Sequence, residues 1–490
     1  MTTNTRTDLR QTPSNSGLAP LYVDLDGTLM HSDMLFECAL RFIARHPWKS
    51  LLLLPWALRG PAVLKAKLAP YFNHDLATLP WNRPLLERLR REASDSGRVL
   101  VLATATNEQI AQRVAAHLGI FSAVLASTET NNLKSGAKLA AIQAHAGGPF
   151  AYAGNDSADL PIWKHAASAV VVSRSRALTR QARQLTQVEA HFEPEGASAR
   201  VLLRALRVHQ WSKNLLVFAP LFAAHLWTSR DSVLAASAMF LAFSLCASAI
   251  YCINDLLDLP SDRAHPRKHT RPIAAGRVSI PTALLLSPLL LIAGVGISVA
   301  LGWLPALVLA AYIVTTTAYS FVLKRIVLVD VITLASLYSV RVIGGAAAIG
   351  VVASFWILAL SMFLFLSLAL IKRYSELHTL ALTERHAASG RDYTVGDRYV
   401  MLALGVGSGF SSVMVMALFL NSPGVAELYP RPYLLWGLCM TLLYWIARMW
   451  VKASRGEMHD DPLVYAATDR ASLFMAFLSA VVVAAASWPV

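Results

Sequence analysis

Carboxylates recur at short intervals between two uncharged stretches of the chain. The run NDLLDLPSD places Asn254, Asp255, Asp258 and Asp262 between SVLAASAMFLAFSLCASAIY and ALLLSPLLLIAGVGISVALGWL. If the preceding helix continues, residues three and four apart share a face, so the three aspartates line one side of it. Like charges on one face repel each other, and more strongly where water is scarce. A divalent cation would remove this repulsion, so the pattern favours a Mg²⁺ site.

Basic residues follow these aspartates directly. Arg263, Lys268 and Arg271 come within nine residues of the last aspartate. Mg²⁺ held by carboxylates commonly carries phosphate oxygens on its other positions, and Lys and Arg are the side chains that pair with phosphate. The stretch from Cys252 to Arg277 therefore predicts a site for Mg²⁺ and a diphosphate. The alternative is a solvated loop at the membrane edge.

A second group of acids ends an apolar stretch near the N-terminus. In PLYVDLDGTLMHSD, Asp24 and Asp26 would point the same way at a strand end, and Gly27 allows a sharp turn. Further strands and a helix bring more polar residues: GRVLVLATAT ends in hydroxyls, NLKSGAKLAAI opens a helix with a lysine, and FAYAGNDSADLPIW ends in acids. The additional candidates from these stretches are Thr104, Lys138, Asp156 and Asp159.

The elements that must position these residues fall into two classes. Of 490 residues, 55% are hydrophobic and only 15% are charged, which is too apolar for an ordinary soluble enzyme. Up to about residue 200 the sequence indicates a soluble α/β domain. Beyond it, uncharged runs of about 20 residues recur, each long enough to cross a bilayer. We predict nine membrane spans, near 210–228, 232–253, 282–301, 303–322, 327–348, 352–371, 399–420, 432–450 and 472–488.

The charges around these spans are distributed asymmetrically. The opening MTTNTRTDLRQTPSNSG is polar and lacks the features of a secretory signal, so we expect the first half in the cytosol. Nine spans then place alternate loops on that same side, and these loops carry most of the bases, as the positive-inside rule requires. We expect an integral protein of the bacterial cytoplasmic (inner) membrane, with the N-terminal domain and the active-site loops in the cytoplasm. The bases of these loops are Arg263, Arg267, Lys268, Arg271, Arg277, Lys324, Arg325, Lys372, Arg373, Arg385, Arg391, Arg398, Lys452, Arg455 and Arg470.

The net charge of +14 is a feature that could also indicate nucleic-acid binding. Most of the excess lies at membrane edges, including RVLLRALRVHQWSKN at 200–214, which is typical of an interfacial helix on anionic lipid. The chain carries no nucleic-acid recognition motif, so we expect no such partner. The four cysteines lack metal-ligand spacing and are interpreted as small apolar residues.

The N-terminal motifs, taken in order, resemble the haloacid dehalogenase superfamily of phosphotransferases across 18–190. The resemblance implies a Rossmann-like α/β fold in which Asp24 is the nucleophile and Asp26 the acid/base. It also implies that Thr104 binds the phosphoryl oxygens and Lys138 offsets their charge. A carboxylate can attack a phosphoryl group only if a metal and a cation screen the repulsion. The ligands that the resemblance implies for Mg²⁺ are Asp24, Asp156 and Asp159.

Two features of this domain leave alternatives open. The family usually shows Gly-Asp followed four residues later by Asp, and Asn155 occupies the first acid position here. Either Asp156 substitutes in a shifted register, or metal binding is weakened and the domain is not catalytic. The helical cap, near 31–91, contains PWKSLLLLPWALRGPAVLKAKLAPY, which fits either core packing or a cap that lies on the bilayer.

The second half resembles the UbiA superfamily of intramembrane transferases from about Leu203 onward. That family implies nine transmembrane helices around a cavity, with aspartate-rich loops that bind Mg²⁺ and a diphosphate. HQWSKNLLVFAPL, NDLLDLPSDRAHPRKHTRPIAAG, KRYSEL and RGEMHDDPLVYAATDR are similar to the branch of polyprenyl-phosphate (decaprenyl-phosphate) phosphoribosyltransferases. The DxxxD motif of prenyl-transferring members, between the sixth and seventh spans, is not evident, which favours this branch.

This branch implies specific substrates and ligands. The donor would be phosphoribosyl diphosphate, the acceptor a polyprenyl phosphate, and Asp255, Asp258 and Asp262 would bind Mg²⁺. Arg341 lies within a span, where burial is costly unless an anion pairs with it; a structural or snorkelling arginine is the alternative. Four acidic or aromatic candidates near helix ends could equally be structural: Tyr374, Glu376, Asp460 and Asp461. The predicted substrate-binding residues are Lys213, Asn254, Arg263, Lys268, Arg271, Lys324, Arg341, Lys372, Arg373, Tyr374, Glu376, Asp460 and Asp461.

The two resemblances together predict a two-step enzyme. The membrane half would make a lipid-linked ribose 5-phosphate, and the N-terminal half would remove its phosphate. The rival predictions are an aromatic prenyltransferase and a membrane scaffold or transporter; acids in loops rather than at mid-membrane argue against transport. The chain length of the prenol and the oligomeric state stay open. The predicted domains are a disordered 1–17, a phosphatase domain at 18–190, a linker with an interfacial helix at 191–209, and a membrane domain at 210–490.

Overall fold

The structure is a computed structural model that describes residues 17–73, 75–382, 392–458 and 461–488. The chain divides into two compact units. The first comprises Met1–Leu206 together with Cys252–Leu286, and the second comprises Arg207–Tyr251 together with Ser287–Val490. The predicted aspartate-rich stretch therefore belongs to the same compact unit as the N-terminal α/β domain.

A parallel six-stranded sheet forms the centre of the first unit, in the order β3-β2-β1-β4-β5-β6. The strands of a parallel sheet are covered on both faces, so they consist of nearly continuous apolar runs. LYV of the first strand and SAVVV of the fifth are buried throughout. The strands are β1 Leu21–Val23, β2 Leu100–Asn107, β3 Ala123–Ser127, β4 Ala151–Gly154, β5 Ser168–Val172 and β6 Gln187–Phe192.

Helices cover this sheet and begin at polar caps. Asp33 accepts a hydrogen bond from the backbone N–H of Leu35 at the start of the first helix, and Asn107 caps the fifth in the same way. The predicted α/β class of the N-terminal half is confirmed. Its helices are α1 Met34–Arg45, α2 Leu53–Leu58, α3 Pro61–Leu68, α4 Arg83–Asp95, α5 Glu108–Leu118, α6 Gly136–Ala146, α7 Leu160–Trp163, α8 Arg176–Leu185 and α9 Ala199–Ala205.

The remainder of the chain is helical. Its helices are α10 Ala219–Ala223, α11 Arg230–Leu257, α12 Leu259–Ala264, α13 Ile280–Leu301, α14 Trp303–Phe321, α15 Val329–Ala348, α16 Phe355–Leu382, α17 Arg398–Leu420, α18 Pro423–Leu428, α19 Trp436–Ser454, α20 Pro462–Thr468 and α21 Arg470–Ser487. Within the described ranges, eight helices are long and apolar enough to cross a membrane: α11, α13, α14, α15, α16, α17, α19 and α21. The chain is an integral membrane protein with an all-α membrane domain, as predicted.

The first predicted span, at 210–228, is not a single long α-helix. This region forms a 3₁₀ segment, Val208–Phe218, followed by the five-residue helix α10. Pro220 has no backbone N–H and occupies the first turn of α10, so it favours a new helix over continuation of the previous one. Asn214 is buried and donates to the Ser244 hydroxyl at 2.9 Å, which ties the segment to α11. Eight of the nine predicted spans are thus single long helices in the described ranges, and the region of the first is a 3₁₀ segment joined to a short α-helix.

Candidate active sites

The N-terminal site lies at the carboxyl ends of β1, β2 and β4. Asp24 directly follows β1, and the Nζ atom of Lys138, from α6, lies 2.9 Å from its Oδ1. The Asp24 and Lys138 side chains are 12% and 5% exposed. In open parallel sheets, ligands bind at this edge, where the strand order reverses. The predicted pairing of a buried carboxylate with a charge-compensating lysine is present.

Asp26 lies two residues after Asp24 and is held by two donors. Its Oδ1 accepts the backbone N–H of Met34 at 2.8 Å, and its Oδ2 accepts the Thr106 hydroxyl at 2.7 Å. Burial, together with the negative charges of Asp33 and Asp24, raises the pKa of Asp26 to about 7. A carboxyl group with such a pKa can give and take a proton near neutral pH. Thr106, two residues after Thr104 on β2, is one of the hydroxyls with which GRVLVLATAT ends, but its contact with Asp26 was not predicted.

Thr104 and Lys65 complete the edge of this site. Thr104 is buried, and its hydroxyl accepts the backbone N–H of Thr106 at 3.0 Å. Lys65, from α3, donates to the carbonyl of Ala105 at 2.6 Å and so ties the helical cap to β2. Burial lowers the pKa of Lys65, against the opposing effect of Asp26. Lys65 was not predicted, because a lysine in an apolar helix gives no signal of which strand it reaches.

The third group of predicted acids follows β4 and has mixed roles. Asp159 accepts backbone N–H groups of Asn155 and Asp156 through Oδ2, at 2.9 and 3.0 Å, and the Tyr152 hydroxyl through Oδ1, at 2.9 Å. Asp156 accepts the N–H of Ser157 at the next turn. The Asn155 amide oxygen accepts the Thr28 hydroxyl at 3.1 Å, beside the turn that carries Asp26. Both oxygens of Asp159 therefore hold the turn, and Asn155 faces the nucleophile loop.

These residues fit Mg²⁺ through their oxygen chemistry. Among the described residues, no three His, Cys, Asp or Glu side chains converge to hold a metal ion by themselves. Protein-bound Mg²⁺ commonly takes one or two carboxylates and completes its octahedron with water and substrate phosphate. Asp24 offers a carboxylate, and Asn155 and Asp156 offer neutral and charged oxygens after the neighbouring strand. A partial donor set of this kind suits a metal that binds together with a phosphate.

Gly27 makes a substitution test of this loop possible. It has a φ of +74°, and a Cβ atom there would lie 2.2 Å from the Asn155 amide nitrogen. Gly97 has a similar φ of +62°, but its Cβ atom would meet open space. We expect Gly97→Ala to cost about 1–2 kcal/mol, the strain of a left-handed residue, and Gly27→Ala to cost more because Asn155 must move. Chemical denaturation of the full-length protein in detergent measures both; equal losses would contradict the contact.

The aspartate-rich stretch forms the second site and belongs to the same unit. Asp255 lies in the last turn of α11, Asp258 precedes α12, and Asp262 lies within α12. The N–H of Asp258 donates to the carbonyl of Asn254 at 2.8 Å, and that of Asp262 donates to the carbonyl of Asp258 at 2.9 Å. The helical path therefore continues across the junction, as the spacing predicts. Asp255 and Asp262 are buried, whereas Asp258 is exposed.

Arg271 holds the two buried aspartates together. Its Nη1 atom lies 3.1 Å from Asp255 Oδ1 and 2.5 Å from Asp262 Oδ2. Lys268 is farther away, with its Nζ atom 3.9 Å from Asp262 Oδ1. Burial raises the pKa of Asp262, and the charge of Arg271 opposes that effect. Two carboxylates that converge on one cation match the donor set of a Mg²⁺–diphosphate site.

Arg263 has a different partner from the one predicted. Its two terminal nitrogens lie 2.9 and 2.8 Å from the carboxylate oxygens of Glu37, and its Nε donates to the carbonyl of Ala274 at 3.0 Å. Both side chains of this pair are almost fully buried. Glu37 belongs to α1, so the pair joins the N-terminal domain to the aspartate-rich loop. Nothing in the spacing of Glu37 within a helix indicated this partner 226 residues away.

Breaking this buried pair should be costly. Removal of one partner from a buried ion pair leaves an uncompensated charge, which costs about 3–5 kcal/mol. We therefore expect Arg263→Ala to reduce the free energy of unfolding of the first unit by that amount. The matched control is Lys67→Ala, which removes an exposed partner of Glu129 and should cost about 0–1 kcal/mol. Equal losses in a denaturant titration of the two variants would contradict the structural role of the pair.

The second unit contains a carboxylate shared by two lysines. The Nζ atoms of Lys213 and Lys372 lie 2.7 and 3.1 Å from Oδ2 of Asp461. The other oxygen of Asp461, Oδ1, accepts the backbone N–H of Leu463 and so caps α20. Burial lowers the pKa of Lys213, with Asp461 opposing it. Burial would raise the pKa of Asp461, but the two lysines outweigh it and hold that pKa well below its ordinary value. Two cations on one carboxylate leave a positive charge available for an anion.

Arg341, predicted to bind an anion, is buried among neutral groups. It donates to Asn214 Oδ1 at 2.7 Å, to the carbonyl of Leu337, and to the Tyr312 hydroxyl at 3.3 Å. Its guanidinium also lies 5.0 and 5.5 Å from the ring centres of Tyr312 and Tyr338. These contacts satisfy its hydrogen bonds without neutralising its charge. Both predicted alternatives, a structural arginine and an anion-binding one, are compatible with this environment.

Arg373 lies in a separate buried cluster. Its Nη2 atom lies 2.6 Å from Asp330 Oδ2, and it also pairs with Glu376. Tyr393 donates its hydroxyl to the other oxygen of Asp330. The structure thus pairs two predicted substrate-binding residues, Arg373 and Glu376, with each other and with an unpredicted acid. The signal for Asp330 was available, because it is the lone acid within a predicted span.

The remaining predicted residues have separate surroundings. Tyr374 is buried and its ring stacks on His378, with centres 5.7 Å apart. Lys324 is half-buried in the 3₁₀ turn Leu323–Arg325. Asn254 is half-buried at the end of α11. Asp460 lies outside the described residues.

Comparison with known families accounts for both halves of the chain. The model of the haloacid dehalogenase-like hydrolases matches residues 21–164, and that of the UbiA prenyltransferase family matches residues 215–478. The chain belongs to the UbiA prenyltransferase family. It carries, in addition, an N-terminal haloacid dehalogenase-like domain. Both resemblances predicted from the sequence motifs are confirmed, and the protein is an enzyme of this membrane transferase family.

Relatives of this UbiA-family protein extend the comparison. The uncharacterized protein y4nM of Sinorhizobium fredii is 38% identical over 463 residues, which are 94% of this chain and 90% of that protein. The decaprenyl-phosphate phosphoribosyltransferase of Mycolicibacterium smegmatis is 41% identical over 197 residues, or 39% of this chain and 60% of that enzyme. A UbiA homologue from Archaeoglobus fulgidus, solved with GPP and Mg²⁺, is 17% identical; the match covers 58% of this chain and 99% of that one, with a TM-score of 0.45.

Proposed function

We propose that the membrane domain transfers the 5-phosphoribosyl group from phosphoribosyl diphosphate to a polyprenyl phosphate. The observation that carries this proposal is the identity of 41% to a decaprenyl-phosphate phosphoribosyltransferase, in a chain whose two lysines share Asp461. Both the donor and the acceptor of this reaction carry phosphate groups. Lys213 and Lys372 together carry one more positive charge than Asp461 neutralises, and this excess supports an anionic acceptor better than a neutral aromatic one.

The aspartate-rich loop would hold the donor. Asp255 and Asp262, with Asp258 at the exposed end, are the proposed Mg²⁺ ligands, and Arg271 and Lys268 are the proposed partners of the diphosphate. When bound, Mg²⁺ would supply Lewis-acid stabilisation of the charge that develops on the leaving diphosphate. Arg271 already lies on both carboxylates, so the same guanidinium can orient a diphosphate at this place.

The transfer itself needs little proton chemistry. A bond forms between an oxygen of the lipid phosphate and C1 of the ribose, while the bond from C1 to the diphosphate oxygen breaks and its electron pair leaves with the diphosphate. The attacking oxygen is already ionised at neutral pH, so no strong general base is required. The remaining positive charge beside Asp461, and that of Arg341, would hold the acceptor phosphate. Lys324, Arg373, Tyr374, Glu376, Asn254 and Asp460 are assigned no step.

The N-terminal domain would remove the 5-phosphate from the lipid-linked product. An Asp24 oxygen attacks the phosphorus, and the bond to the ribose 5-oxygen breaks as Asp26 donates a proton to that oxygen. Water then attacks the phosphorus of the aspartyl phosphate as Asp26 takes a proton from it, and the bond between phosphorus and the Asp24 oxygen breaks, which releases inorganic phosphate and regenerates the Asp24 carboxylate. Lys138 offsets the charge of the phosphoryl group, and Thr104 binds one of its oxygens. Mg²⁺ beside Asp24, Asn155 and Asp156 would supply further charge screening when bound.

The topology of the proposal places both activities on one side of the bacterial cytoplasmic membrane. The bases of the predicted cytosolic loops, including Arg271 and Lys372, follow the positive-inside pattern. Phosphoribosyl diphosphate is a charged, water-soluble donor, so its site must open to the cytosol. The phosphatase domain would meet the lipid-linked product on the same face.

Prenyl transfer from a prenyl diphosphate is the second candidate function. The match of residues 215–478 to the prenyltransferase family favours it. The aspartate-rich loop would serve a prenyl diphosphate as well as it serves phosphoribosyl diphosphate. The paired lysines at Asp461 distinguish the two candidates, because a neutral acceptor gives them no anion to bind.

The transferase proposal predicts a product that can be weighed. Purified full-length protein with Mg²⁺, phosphoribosyl diphosphate and a polyprenyl phosphate should form a lipid heavier by one phosphoribosyl group or, after dephosphorylation, by one ribosyl group, as seen by mass spectrometry. Asp262→Asn should lower this rate about 100-fold or more, since metal stabilisation is worth several kcal/mol. The control is Asp231→Asn, an exposed acid at the opposite end of α11. Turnover of prenyl diphosphate, with none of phosphoribosyl diphosphate, would favour the second candidate.

The phosphatase proposal predicts a separable step. Asp24→Asn should leave phosphoribosyl transfer unchanged and cause the lipid-linked ribose 5-phosphate to accumulate, because an amide oxygen is a much weaker nucleophile. Mass spectrometry distinguishes this product from the dephosphorylated lipid. Asp95→Asn, at an exposed acid at the end of α4, is the matched control. Dephosphorylation at the wild-type rate by the Asp24 variant would refute the assignment.

A further inference from the structure

One short segment of the first unit exposes large apolar side chains to an unusual degree. Trp48 is 90% exposed, Leu51 and Leu58 are 80% exposed, and Leu54 is 68% exposed. All four lie within Pro47–Leu58, which consists of a 3₁₀ segment followed by α2. Single exposed apolar residues are ordinary, but a contiguous group of this kind marks an interaction surface.

The outward direction of these side chains is fixed by the packing of their neighbours. Leu53 and Trp56, on the opposite side of the same segment, pack against the core of the N-terminal domain. The Trp56 ring lies 5.5 Å from that of Phe42, which is fully buried in α1. The segment is therefore apolar on two faces, and among the residues that the structure describes only one of these faces is covered within its unit.

The same unit shows where this segment lies relative to membrane helices. Leu40 of α1 shares an apolar cluster with Leu256 at the end of α11 and with Ile280 and Ala283 at the start of α13. Ala44, one turn farther along α1, lines a small cavity together with Leu256 and Leu257. Both α11 and α13 are membrane spans. The exposed segment begins directly after α1, close to the point where two spans end.

Charge around the segment fits an anionic lipid surface. Lys49 and Arg59 are exposed at its two ends. From residue 38 to residue 74 the sequence contains no Asp or Glu but six Lys or Arg: Arg41, Arg45, Lys49, Arg59, Lys65 and Lys67. Apolar side chains with basic flanks and a tryptophan are the composition of segments that lie in the membrane interface.

We propose that Pro47–Leu58 is a membrane-docking surface that inserts Trp48, Leu51, Leu54 and Leu58 into the interface of an anionic bilayer. The protein's own spans hold that bilayer beside α1, so docking adds no separate association step. If the proposed function is correct, this surface would also keep the Asp24 site within reach of a lipid-borne phosphate. The docking itself does not depend on that function.

Depth-dependent quenching of a single label tests the docking. Full-length protein in nanodiscs with anionic lipid carries an environment-sensitive fluorophore at Leu51→Cys, or at the control Lys164→Cys, an exposed site elsewhere on the same domain. The four native cysteines are buried and are replaced by Ala or Ser if they react. We expect lipids with a quencher near the headgroup to quench the label at position 51 several-fold more than the label at position 164. Equal quenching would overturn the proposal.

A second arm separates lipid from a second copy of the chain as the occupant. The label at position 51 should be quenched by the lipid to the same extent in nanodiscs that contain one protein as in nanodiscs that contain two. A difference in quenching between one and two copies, or cross-linking between two copies that carry Leu51→Cys, would overturn the assignment of lipid as the occupant.

A functional arm then tests the consequence for the phosphatase. The double variant Leu51→Glu/Leu54→Glu should retain hydrolysis of a soluble phosphate ester but hydrolyse the lipid-linked ribose 5-phosphate several-fold more slowly. Because both substitutions lie on the exposed face, the melting temperature should stay unchanged. If wild-type protein hydrolyses neither substrate, the proposed phosphatase function fails while the quenching result still decides the docking. Unchanged hydrolysis of the lipid substrate by the double variant would overturn the stated role of the surface.

Discussion

Charges buried away from water must be paired, and this constraint organises both halves of the protein. Asp24 is paired with Lys138, Asp255 and Asp262 with Arg271, and Asp461 with two lysines. An isolated buried carboxylate is costly, so each of these acids has a cation beside it: Lys138 and the two lysines come from distant parts of the chain, and Arg271 comes from the same loop. The same arrangement suits phosphate chemistry. A metal ion or a phosphate can replace an internal partner without leaving a buried charge uncompensated, and the polar residues are already in place when the substrate arrives.

Some of these pairs are suited to exchange and others are not. Arg271 is partly exposed and contacts two carboxylates through one nitrogen, and Lys372 is 40% exposed, so each can turn toward a ligand. The Arg263–Glu37 and Arg373–Asp330 pairs are almost completely buried; the first joins α12 to the distant α1, and the second joins the consecutive helices α16 and α15. The exposure of the cation thus distinguishes pairs that can serve a substrate from pairs that fix the fold. By this criterion Lys268 and Arg271 remain reasonable diphosphate partners, whereas Arg263 is better explained as structural.

The sequence predicted the parts of the structure that depend on local pattern. Apolar runs of about 20 residues indicated most of the spans, and alternating strands and helices indicated the α/β domain. The spacing of Asp255, Asp258 and Asp262 correctly predicted a nearly continuous helical path. The spacing could not predict which of these aspartates would be buried, because their burial depends on the position that Arg271 takes in the folded loop. The roles of Glu37 and Lys65, and the contact of Thr106 with Asp26, were missed for a related reason: these partners are fixed by tertiary packing, and an ordinary residue in a helix or strand does not indicate which partner it will have. The break in the first predicted span was missed because hydropathy alone does not register the effect of Pro220 on helix continuity.

The N-terminal domain is packed together with the aspartate-rich loop and is not merely linked to it by the chain. The aspartate-rich loop lies in its compact unit, Glu37 binds Arg263 next to Asp262, and the carbonyl of His31 approaches Gly276 so closely that a Cβ atom there would lie 2.6 Å away. His31 follows the Asp26 loop in sequence, and Met34, three residues later, donates to Asp26. A single run of about 15 residues therefore supports Asp26 in one site and contacts the aspartate-rich loop of the other. Such a shared support gives a physical reason for the two proposed activities to be fused in one chain, since a displacement of α1 would disturb both sites.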